Sequence, residues 1–530
     1  MAARTDETNS LPALHAERGG WLAPAVILAL VACIAGRVLA YPINRDEHMF
    51  VSVAQQLPGY ELYRDLGYNH LPNFPLLLSA IFELTGTDHY LLASRLVVIA
   101  SWALSFILLW LIGRRLGVSV LASITAIVLL GCNVPLLGPP GMLATNSLVP
   151  IPFSFLAFYL VLGAFDPRRP PKRRMIEGFL AGVAVSVAIG LKANFIVIAP
   201  CFFVASLLAG PGQRLIERIK LQALPLGLGG LVGGLPPIIH FLRDTEGMVA
   251  HSIYYFTVLH TSFWADSTEP KVMSIADKVL LAENIWLGGT TMLAAVGLML
   301  LAMRGYRETG WAGAGHNLWR WPVLLALALT AGGVVIAVIP SPSFSQYFVP
   351  PIPFLILTML TVIPREENGP VVGMRLLAPL LLLGLIAGSL RLLPGLAQLV
   401  GPGSWTGVES HAVMHETLDN AGVAQDARIA TMSPILAIEG GREVYPEFAA
   451  GQFVYRVAPY LTDEFRQYYR TTSPGKLEAF LDSNPPDAIL VDTSEAMEQA
   501  FVEYAQDRDM REIAVDKDIN SLRFRLFVPK

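Results

Sequence analysis

Long apolar runs constrain the fold of this chain more than any other feature. About eleven stretches are apolar over nearly their whole length, and a run of about 20 such residues is typical of a bilayer-spanning helix. Hydrophobic residues make up 53% of the 530 residues and charged residues only 15%, where soluble proteins carry about 25%. We expect a polytopic α-helical membrane protein with spans near residues 21–41, 91–113, 117–134, 145–165, 176–191, 195–210, 222–241, 284–303, 321–340, 348–363 and 374–398.

Two apolar segments need a separate interpretation. The first run ends in Val38-Leu39-Ala40, which resembles the cleavage site of a signal peptide, but Arg37 lies too close to that site and the run is long enough to span. We therefore expect an uncleaved first helix. The segment 72–86 is short and carries Pro72 and Pro75, which favours a re-entrant or interfacial helix.

The distribution of basic residues predicts the orientation, since cytoplasmic loops are enriched in lysine and arginine. We expect residues 1–20 to form a cytoplasmic tail, and the loops 43–71, 134–144, 242–282 and 341–347 to lie outside. The predicted location is a bacterial inner (plasma) membrane. The basic residues on the predicted cytoplasmic side are Arg114, Arg115, Arg168, Arg169, Lys172, Arg173, Arg174, Arg214, Arg218, Lys220, Arg304, Arg307, Arg320 and Arg365.

The first outer loop, residues 43–71, contains the acidic pair Asp46 and Glu47. The stretch from Glu47 to Leu57 is rich in helix formers, which predicts a helix on the membrane surface with Asp46 at its N-cap. Asp46 has two interpretations, a capping residue or a general base that accepts a proton from an acceptor hydroxyl or amine. The neighbouring Glu47 would raise the proton affinity of Asp46 by like-charge repulsion.

Other polar residues lie at the predicted outer ends of spans. Lys192 is either a lysine that reaches water or a ligand for a phosphate. Gln346 and Tyr347 precede a proline-rich span, where they would hydrogen-bond a ligand or simply belong to the aromatic belt. In loop 242–282, Arg243 is a phosphate candidate, and His260 lies among aromatic residues that suit a sugar or a plain interfacial helix.

Residues 401–530 form a different kind of segment. They hold 21 of the 42 acidic residues but only 12 of the 38 basic ones, which predicts a water-exposed domain. Segments 428–432, 488–492 and 522–528 predict strands, whereas Ser473 and Ser494 open predicted helices, so we expect a small α/β domain. It carries no nucleotide-binding motif. The hypothesis is a cover over an outer site or a platform for an acceptor.

The first outer loop then shows a recognisable pattern. It reads Arg45-Asp46-Glu47-His48-x-Phe50-x-x-x-Ala54-x-x-Leu57-x-Gly59-x-x-x-Tyr63-x-Asp65, followed by Asn69-His70-x-Pro72-x-x-Pro75-Leu76 and Ala93-Ser94-Arg95-Leu96. This pattern resembles the GT-C glycosyltransferases, and in particular the branch of protein mannosyltransferases and lipid A aminoarabinose transferases. The resemblance covers about residues 20–400 and is most specific in the first outer loop. It implies a GT-C-like transmembrane domain over residues 21–400.

The resemblance also implies an activity. Such an enzyme transfers a sugar, with inversion, from a polyprenyl-phosphate donor to a lipid, glycan or protein acceptor at the outer face of the membrane. Asp46 matches the catalytic base and Glu47 the second acid of the pair. Lys192 matches the lysine near the carrier phosphate, and Gln346-Tyr347 matches a basic-Tyr pair, although Gln346 is neutral. His70 stands where some relatives have lysine, and Asp65 and Asn69 belong to the same substrate-binding loop.

The chemistry of such a donor is consistent with these residues. Phosphate is a good leaving group that needs cations, for which Lys192, Arg243 and His70 are candidates. No cofactor is required by this scheme. A divalent cation held by Asp46, Glu47 and Asp65 stays open.

Two other functional classes remain. A transporter or flippase of lipid-linked saccharides would show internal repeats and ionisable residues near mid-membrane. A non-catalytic partner with the same fold would tolerate the loss of Asp46. A net charge of −4 gives no support for nucleic-acid binding.

Overall fold

The computed structural model describes residues 21–209, 213–269, 271–363, 371–493, 496–515, 519 and 523–530. The predicted tail 1–20 and the predicted helix start at Ser494 lie outside these residues. The first part of the chain is helical. Its helices are α1 (Leu22–Leu39), α2 (Arg45–Gln56), α3 (Asn73–Thr85), α4 (Tyr90–Leu116), α5 (Val120–Gly131), α6 (Pro139–Met142), α7 (Pro150–Ala164), α8 (Pro171–Leu191) and α9 (Ile198–Leu208), with a 3-10 turn at Ala193–Val197 before α9.

The middle of the chain continues the helical bundle, with π-helical turns at Ile219–Ala223 and Ala250–Leu259 and a 3-10 turn at Ser345–Phe348. Its helices are α10 (Leu215–Arg218), α11 (Leu224–Gly233), α12 (Leu235–Arg243), α13 (Thr245–Val249), α14 (His260–Asp266), α15 (Ile275–Trp286), α16 (Gly289–Leu318), α17 (Trp321–Val338), α18 (Pro351–Val362) and α19 (Val371–Leu399).

The helices confirm a multi-pass membrane protein. Within the described residues, seven helices are long and apolar enough to cross a bilayer, or eight if the pair bent by 55° at residue 234 is one span. Three further predicted spans coincide with the shorter apolar helices α5, α7 and α9 with its preceding 3-10 turn. The predicted re-entrant segment 72–86 coincides with the 13-residue helix α3. A total of eleven spans stays a prediction.

Close packing of the spanning helices depends on small residues, as is common where lipid removes the hydrophobic driving force. Helices α1 and α19 cross at Gly36 and Gly395. A Cβ atom on Gly36 would lie 1.8 Å from the carbonyl oxygen of Gly395, so the two backbones touch. This contact fixes the position of α1, whose C-terminal end leads into the first outer loop.

The C-terminal region, defined here as residues 406–530, contains a mixed five-stranded sheet in the order β2-β1-β3-β5-β4. β1 pairs in parallel with β2 and β3, whereas β5 runs antiparallel to β3 and β4. Its elements are α20 (Thr406–Asn420), β1 (Arg428–Ala430), α21 (Pro434–Glu439), β2 (Glu443–Val444), α22 (Gln452–Tyr455), α23 (Asp463–Arg466), α24 (Leu477–Ser483), β3 (Ala488–Asp492), α25 (Gln499–Asp507), β4 (Arg511–Ala514) and β5 (Phe524–Val528).

The C-terminal region lies directly on the membrane bundle. The hydroxyl of Thr406 donates to the carbonyl of Tyr41 at 2.7 Å, and the backbone N–H of Leu91 donates to the buried carboxylate of Glu439 at 2.6 Å. The backbone N–H of Ile435 donates to Nδ1 of His48 on α2. The region therefore covers the same end of the bundle as the first outer loop.

A buried ion pair fixes the first outer loop to the bundle. Arg95 of α4 donates through Nε and a terminal nitrogen to both carboxylate oxygens of Glu47, at 3.0 and 2.9 Å, and both side chains are fully buried. Glu47 also accepts the backbone N–H of Ala144 at 2.9 Å. The other terminal nitrogen of Arg95 donates to the carbonyl of Val38 in the last turn of α1 and to that of Tyr41 just after it. The Arg95–Glu47 pair thus joins α1, α2, α4 and the loop before α7.

Glu47→Ala is expected to lower the free energy of unfolding by about 3–5 kcal/mol, because it leaves the Arg95 guanidinium buried without its counter-ion. The matched control is Glu61→Ala, whose ion pair with Arg64 is exposed and is worth less than about 1 kcal/mol. Thermal unfolding in detergent at one protein concentration measures both. Equal effects of the two substitutions would contradict the role given to the buried pair.

Candidate active site at the outer-loop end of the bundle

A cavity of about 210 Å³ lies where the first outer loop, the end of α8, the 3-10 turn before α18 and the C-terminal region meet. Its lining residues are Asn44, Arg45, Asp46, Met49, Phe50, Asn69, His70, Pro139, Thr145, Asn146, Ser147, Lys192, Tyr255, Phe256, His260, Trp264, Phe344, Ser345, Gln346, Tyr347, Phe453 and Arg456.

Asp46 enters this cavity from the first turn of α2. The predicted N-cap assignment is wrong, because Asn44 caps the helix: its side-chain oxygen accepts the backbone N–H of Asp46 at 3.0 Å, and its own N–H donates to Glu47 in a capping box. The Asp46 carboxylate is therefore free of capping. No side chain or backbone donor among the described residues bonds to it, so it is available to a ligand.

The environment of Asp46 favours a proton acceptor. Burial in the cavity raises the pKa of Asp46 above its usual value, and the charges of Arg45, Arg456 and Lys192 oppose that shift. The repulsion by Glu47, expected from the sequence, also raises this pKa but is a smaller contribution. A carboxylate with a raised pKa is a stronger base, which suits proton abstraction.

Glu47 lies behind the cavity wall and does not line it. Both of its oxygens are bonded, to Arg95, Ala144 and the N–H of Asn44. The prediction of Glu47 as a second catalytic acid is not supported by this position, because a fully bonded, fully buried carboxylate cannot meet a substrate. The structure makes Glu47 a residue that positions Asp46.

Lys192 reaches the cavity as predicted. It is the extended residue between α8 and the following 3-10 turn, it is 5% exposed, and its Nζ donates to Ser147 at 2.9 Å. Burial lowers the pKa of Lys192 to about 8, while the charge of Asp46 acts in the opposite direction. At neutral pH this lysine is still mostly protonated, so it places a positive charge in the cavity next to Asp46.

Two histidines line the cavity as neutral groups. Burial lowers the pKa of His70 and of His260 to about 3. His70 stacks on Phe50 with ring centroids 5.3 Å apart, and Nε2 of His260 accepts the indole N–H of Trp264 at 3.0 Å. Burial thus disfavours the charged form of His70, and the structure does not support the prediction that His70 supplies a cation. These rings offer stacking surface and hydrogen bonds.

The remaining predicted residues divide into two groups. Asn69, Gln346 and Tyr347 line the cavity, and the side-chain oxygen of Asn69 is buried without a partner among the described residues. Asp65 lies in the same loop but accepts the backbone N–H of Glu61 and closes a turn. Arg243 ends α12 on an exposed surface. Neither Asp65 nor Arg243 lines the cavity.

The three carboxylates suggested for a cation do not converge. Glu47 is bound to Arg95, and Asp65 closes its turn outside the cavity. Of these three groups only Asp46 faces the cavity.

Arg456 of the C-terminal region is a cation lining the cavity that the sequence analysis did not single out. It is 5% exposed, and its guanidinium lies over the rings of Phe453 and Phe263 at 4.8 and 5.0 Å. Its Nε is buried with no hydrogen-bond partner among the described residues. A cation held by aromatic faces, with a donor left unused, suits an anionic ligand.

Local backbone geometry brings Arg456 to the cavity. Gly451 has φ of +56°, a left-handed conformation that favours glycine, and it starts the single turn α22 that ends before Arg456. A Cβ on Gly451 would lie 2.9 Å from the carbonyl oxygen of Met432. The only sequence signal was a cation interleaved with aromatic residues, Phe453-Val454-Tyr455-Arg456, within a segment otherwise interpreted as a cover.

The protein is a multi-pass membrane protein with the GT-C fold. The resemblance found in the first outer loop is thereby confirmed. A family model described as dolichyl-phosphate-mannose-protein mannosyltransferase matches residues 69–240. A search of curated proteins gave no match.

Two solved structures of ArnT are similar in fold to this chain. The crystal structure of ArnT from Cupriavidus metallidurans in the apo state matches with a TM-score of 0.62 at 14% identity, covering 96% of this chain and 97% of that one. The structure of ArnT from the same organism bound to undecaprenyl phosphate matches with a TM-score of 0.59 at 14% identity, covering 96% and 98%. The likeness therefore extends through the C-terminal region and includes the fold of almost the whole chain.

Lys192→Met is expected to stabilise the free protein. A lysine whose folded pKa is about 8 and unfolded pKa about 10.5 costs about 3 kcal/mol of stability below pH 8, and the cost disappears as the pH rises toward 10.5. The gain from Lys192→Met should therefore be largest near pH 7 and shrink at pH 10. Thermal unfolding in detergent tests this, with the exposed Lys476→Met as a control that should change nothing. A gain independent of pH would contradict the explanation.

Proposed function

We propose that this protein is a glycosyltransferase that moves a sugar from a polyprenyl-phosphate donor to an acceptor. The observation that carries the proposal is the cavity in which one unbonded carboxylate, Asp46, faces two buried cations, Lys192 and Arg456. The partial match to the mannosyltransferase family model and the fold shared with ArnT, one structure of which is bound to undecaprenyl phosphate, support the same assignment.

The proposed reaction is a single displacement. Asp46 accepts the proton of the acceptor hydroxyl or amine, whose heteroatom attacks the anomeric carbon while the bond from that carbon to the phosphate oxygen breaks. Lys192 and Arg456 bind the departing polyprenyl phosphate and stabilise the charge that develops on it. Because attack and departure occur on opposite faces, the anomeric configuration inverts. The phosphate leaving group activates the sugar, so the reaction requires no cofactor.

The neutral lining residues complete the donor site. His70, His260 and Asn69 offer hydrogen bonds to sugar hydroxyls, and the ring of Phe50, on which His70 stacks, walls the same space. Gln346 and Tyr347, just before α18, face the phosphate side in this proposal. The acceptor class, whether lipid, glycan or protein, and the hexosyl or pentosyl nature of the sugar are outcomes of the assay below.

The orientation follows from the same proposal. The cavity lies at the end of the bundle where α4 begins, whereas Arg114 and Arg115 end α4 at the opposite side. With basic loops in the cytoplasm, the cavity and the C-terminal region lie on the outer side of a bacterial inner membrane. A polyprenyl-phosphate sugar is already activated by its phosphate, so the proposed reaction needs no nucleotide at that face.

Asp46→Asn is expected to lower transfer by about 10²–10⁴-fold, because it removes the proton acceptor. Binding of undecaprenyl phosphate should be retained or tightened, since a negative charge leaves the cavity. The assay follows transfer from a panel of radiolabelled polyprenyl-phosphate sugars, with purified protein in detergent and membrane extract as the source of acceptor.

The matched control is Asp65→Asn, in the same loop but outside the cavity, which should keep full transfer. Equal transfer by wild type and Asp46→Asn would remove Asp46 as the base. Donor binding by the wild type without transfer from any donor would favour a transporter or a non-catalytic partner.

Arg456→Met is expected to weaken binding of undecaprenyl phosphate on the order of 10- to 100-fold, the cost of losing hydrogen bonds to a charged group. Binding of undecaprenol, which lacks the phosphate, should be unchanged, and Arg456→Lys should fall in between. Arg243→Met is the matched control, because Arg243 lies outside the cavity and should not affect either ligand. A phosphate-independent loss would mean that Arg456 serves packing alone.

A further inference from the structure

A second group of ionisable side chains lies outside the cavity, at the junction of α4 with the C-terminal region. It consists of Asp88 and His89, just before α4, and His411 in the second turn of α20. One ligand atom of each residue lies within 4.8 Å of the others. Two imidazoles and a carboxylate are a ligand set suited to a divalent transition metal such as Zn²⁺.

The hydrogen bonding of His411 is arranged as it is in metal sites. Nδ1 of His411 lies 3.3 Å from the carboxylate of Glu439, and since a carboxylate only accepts, the proton is on Nδ1. Glu439 is fully buried and held by the backbone N–H of Leu91 at 2.6 Å. The lone pair of His411 is then on Nε2, 4.0 Å from a carboxylate oxygen of Asp88. A carboxylate that orients a metal-binding histidine in this way is the usual outer partner of such ligands.

The second imidazole, that of His89, makes no ring hydrogen bond to any described residue. Nε2 of His89 lies 4.0 Å from the other oxygen of Asp88, and its Nδ1 is buried without a hydrogen-bond partner among the described residues. A separation of 4.0 Å is too long for a hydrogen bond, and it exceeds by less than 1 Å the roughly 3.3 Å between two ligands of a tetrahedral zinc ion, so small side-chain movements would bring these atoms to a common metal. The rings of His89 and His411 lie one over the other, tilted by 32° with centroids 3.8 Å apart, and each Nε2 lies 4.0 Å from an oxygen of the same carboxylate.

We propose that Asp88, His89 and His411 bind one Zn²⁺-like cation that joins the membrane bundle to the C-terminal region. Asp88 is exposed, which gives the metal a path from water and leaves room for a water ligand. Two ligands come from the start of α4 and one from α20, so the bound ion connects elements that are more than 300 residues apart in the chain. This site is separate from the cavity of Asp46 and does not depend on the proposed transfer reaction.

The test uses the full-length protein without a polyhistidine tag, stripped with chelator in detergent and dialysed against micromolar Zn²⁺. We expect about one equivalent of Zn²⁺ per chain by elemental analysis, a d–d absorption spectrum with Co²⁺, and a higher unfolding temperature with Zn²⁺ than without. His89→Gln and His411→Gln should each lose the bound equivalent and the Zn²⁺-dependent shift. Glu439→Gln should weaken affinity roughly 10- to 100-fold.

The matched control is His415→Gln, one turn further along α20, whose ring lies 4.5 Å from that of His411 but is not among the converging ligands. It should keep the metal and the shift. Stoichiometry unchanged in His89→Gln and His411→Gln, or no equivalent in the wild type, would overturn the proposal. The unfolding temperature of each variant without metal shows whether it has folded, so a misfolded variant is not mistaken for a lost ligand.

Discussion

The bidentate pair between Arg95 and Glu47 is the interaction on which the arrangement of the site depends. A guanidinium buried beside a membrane is costly unless each of its donors is used. Here two donors go to Glu47 and another reaches the carbonyls that end α1, where the helix dipole also favours a cation. The pair therefore sets the exit of α1 and the first turn of α2 at once. Asp46 faces the cavity because its neighbour faces Arg95.

The cavity holds charged groups of opposite sign that are close together but not hydrogen-bonded to each other. Asp46 lies among Arg45, Lys192 and Arg456, yet none of the described hydrogen bonds joins its carboxylate to them. Burying these charges costs stability, and for Lys192 burial lowers the pKa although the charge of Asp46 acts in the opposite direction. A protein that keeps this cost has charges placed before a ligand arrives, and preorganised charges are the main way to stabilise a departing phosphate.

The sequence predicted the parts of this site whose signals are local. The sequence alone shows an apolar run interrupted by Lys192 and an acidic pair after the first span. It also predicts the strand 488–492, which agrees with β3. The predictions that the structure does not support concern residues whose environment is set by residues distant in the sequence. Both oxygens of Glu47 are occupied by Arg95, 48 positions away, and burial together with the charge of Lys192 lowers the pKa of His70. Arg456 belongs to the cavity only because the C-terminal region folds over it.

The position of Arg456 shows that the C-terminal region is more than a cover over the cavity. A cover would exclude water and could be replaced by any surface of similar shape. The region instead holds Arg456 in the wall of the cavity, and its position is set by bonds such as those of Thr406 to Tyr41 and Leu91 to Glu439. Because Coulomb energies in a poorly hydrated cavity are large and depend on distance, a small shift of this region would change the interaction energy between Arg456 and a phosphate in the cavity. The cavity is therefore built from both the membrane bundle and the C-terminal region, and the packing of that region on α4 contributes to its electrostatics.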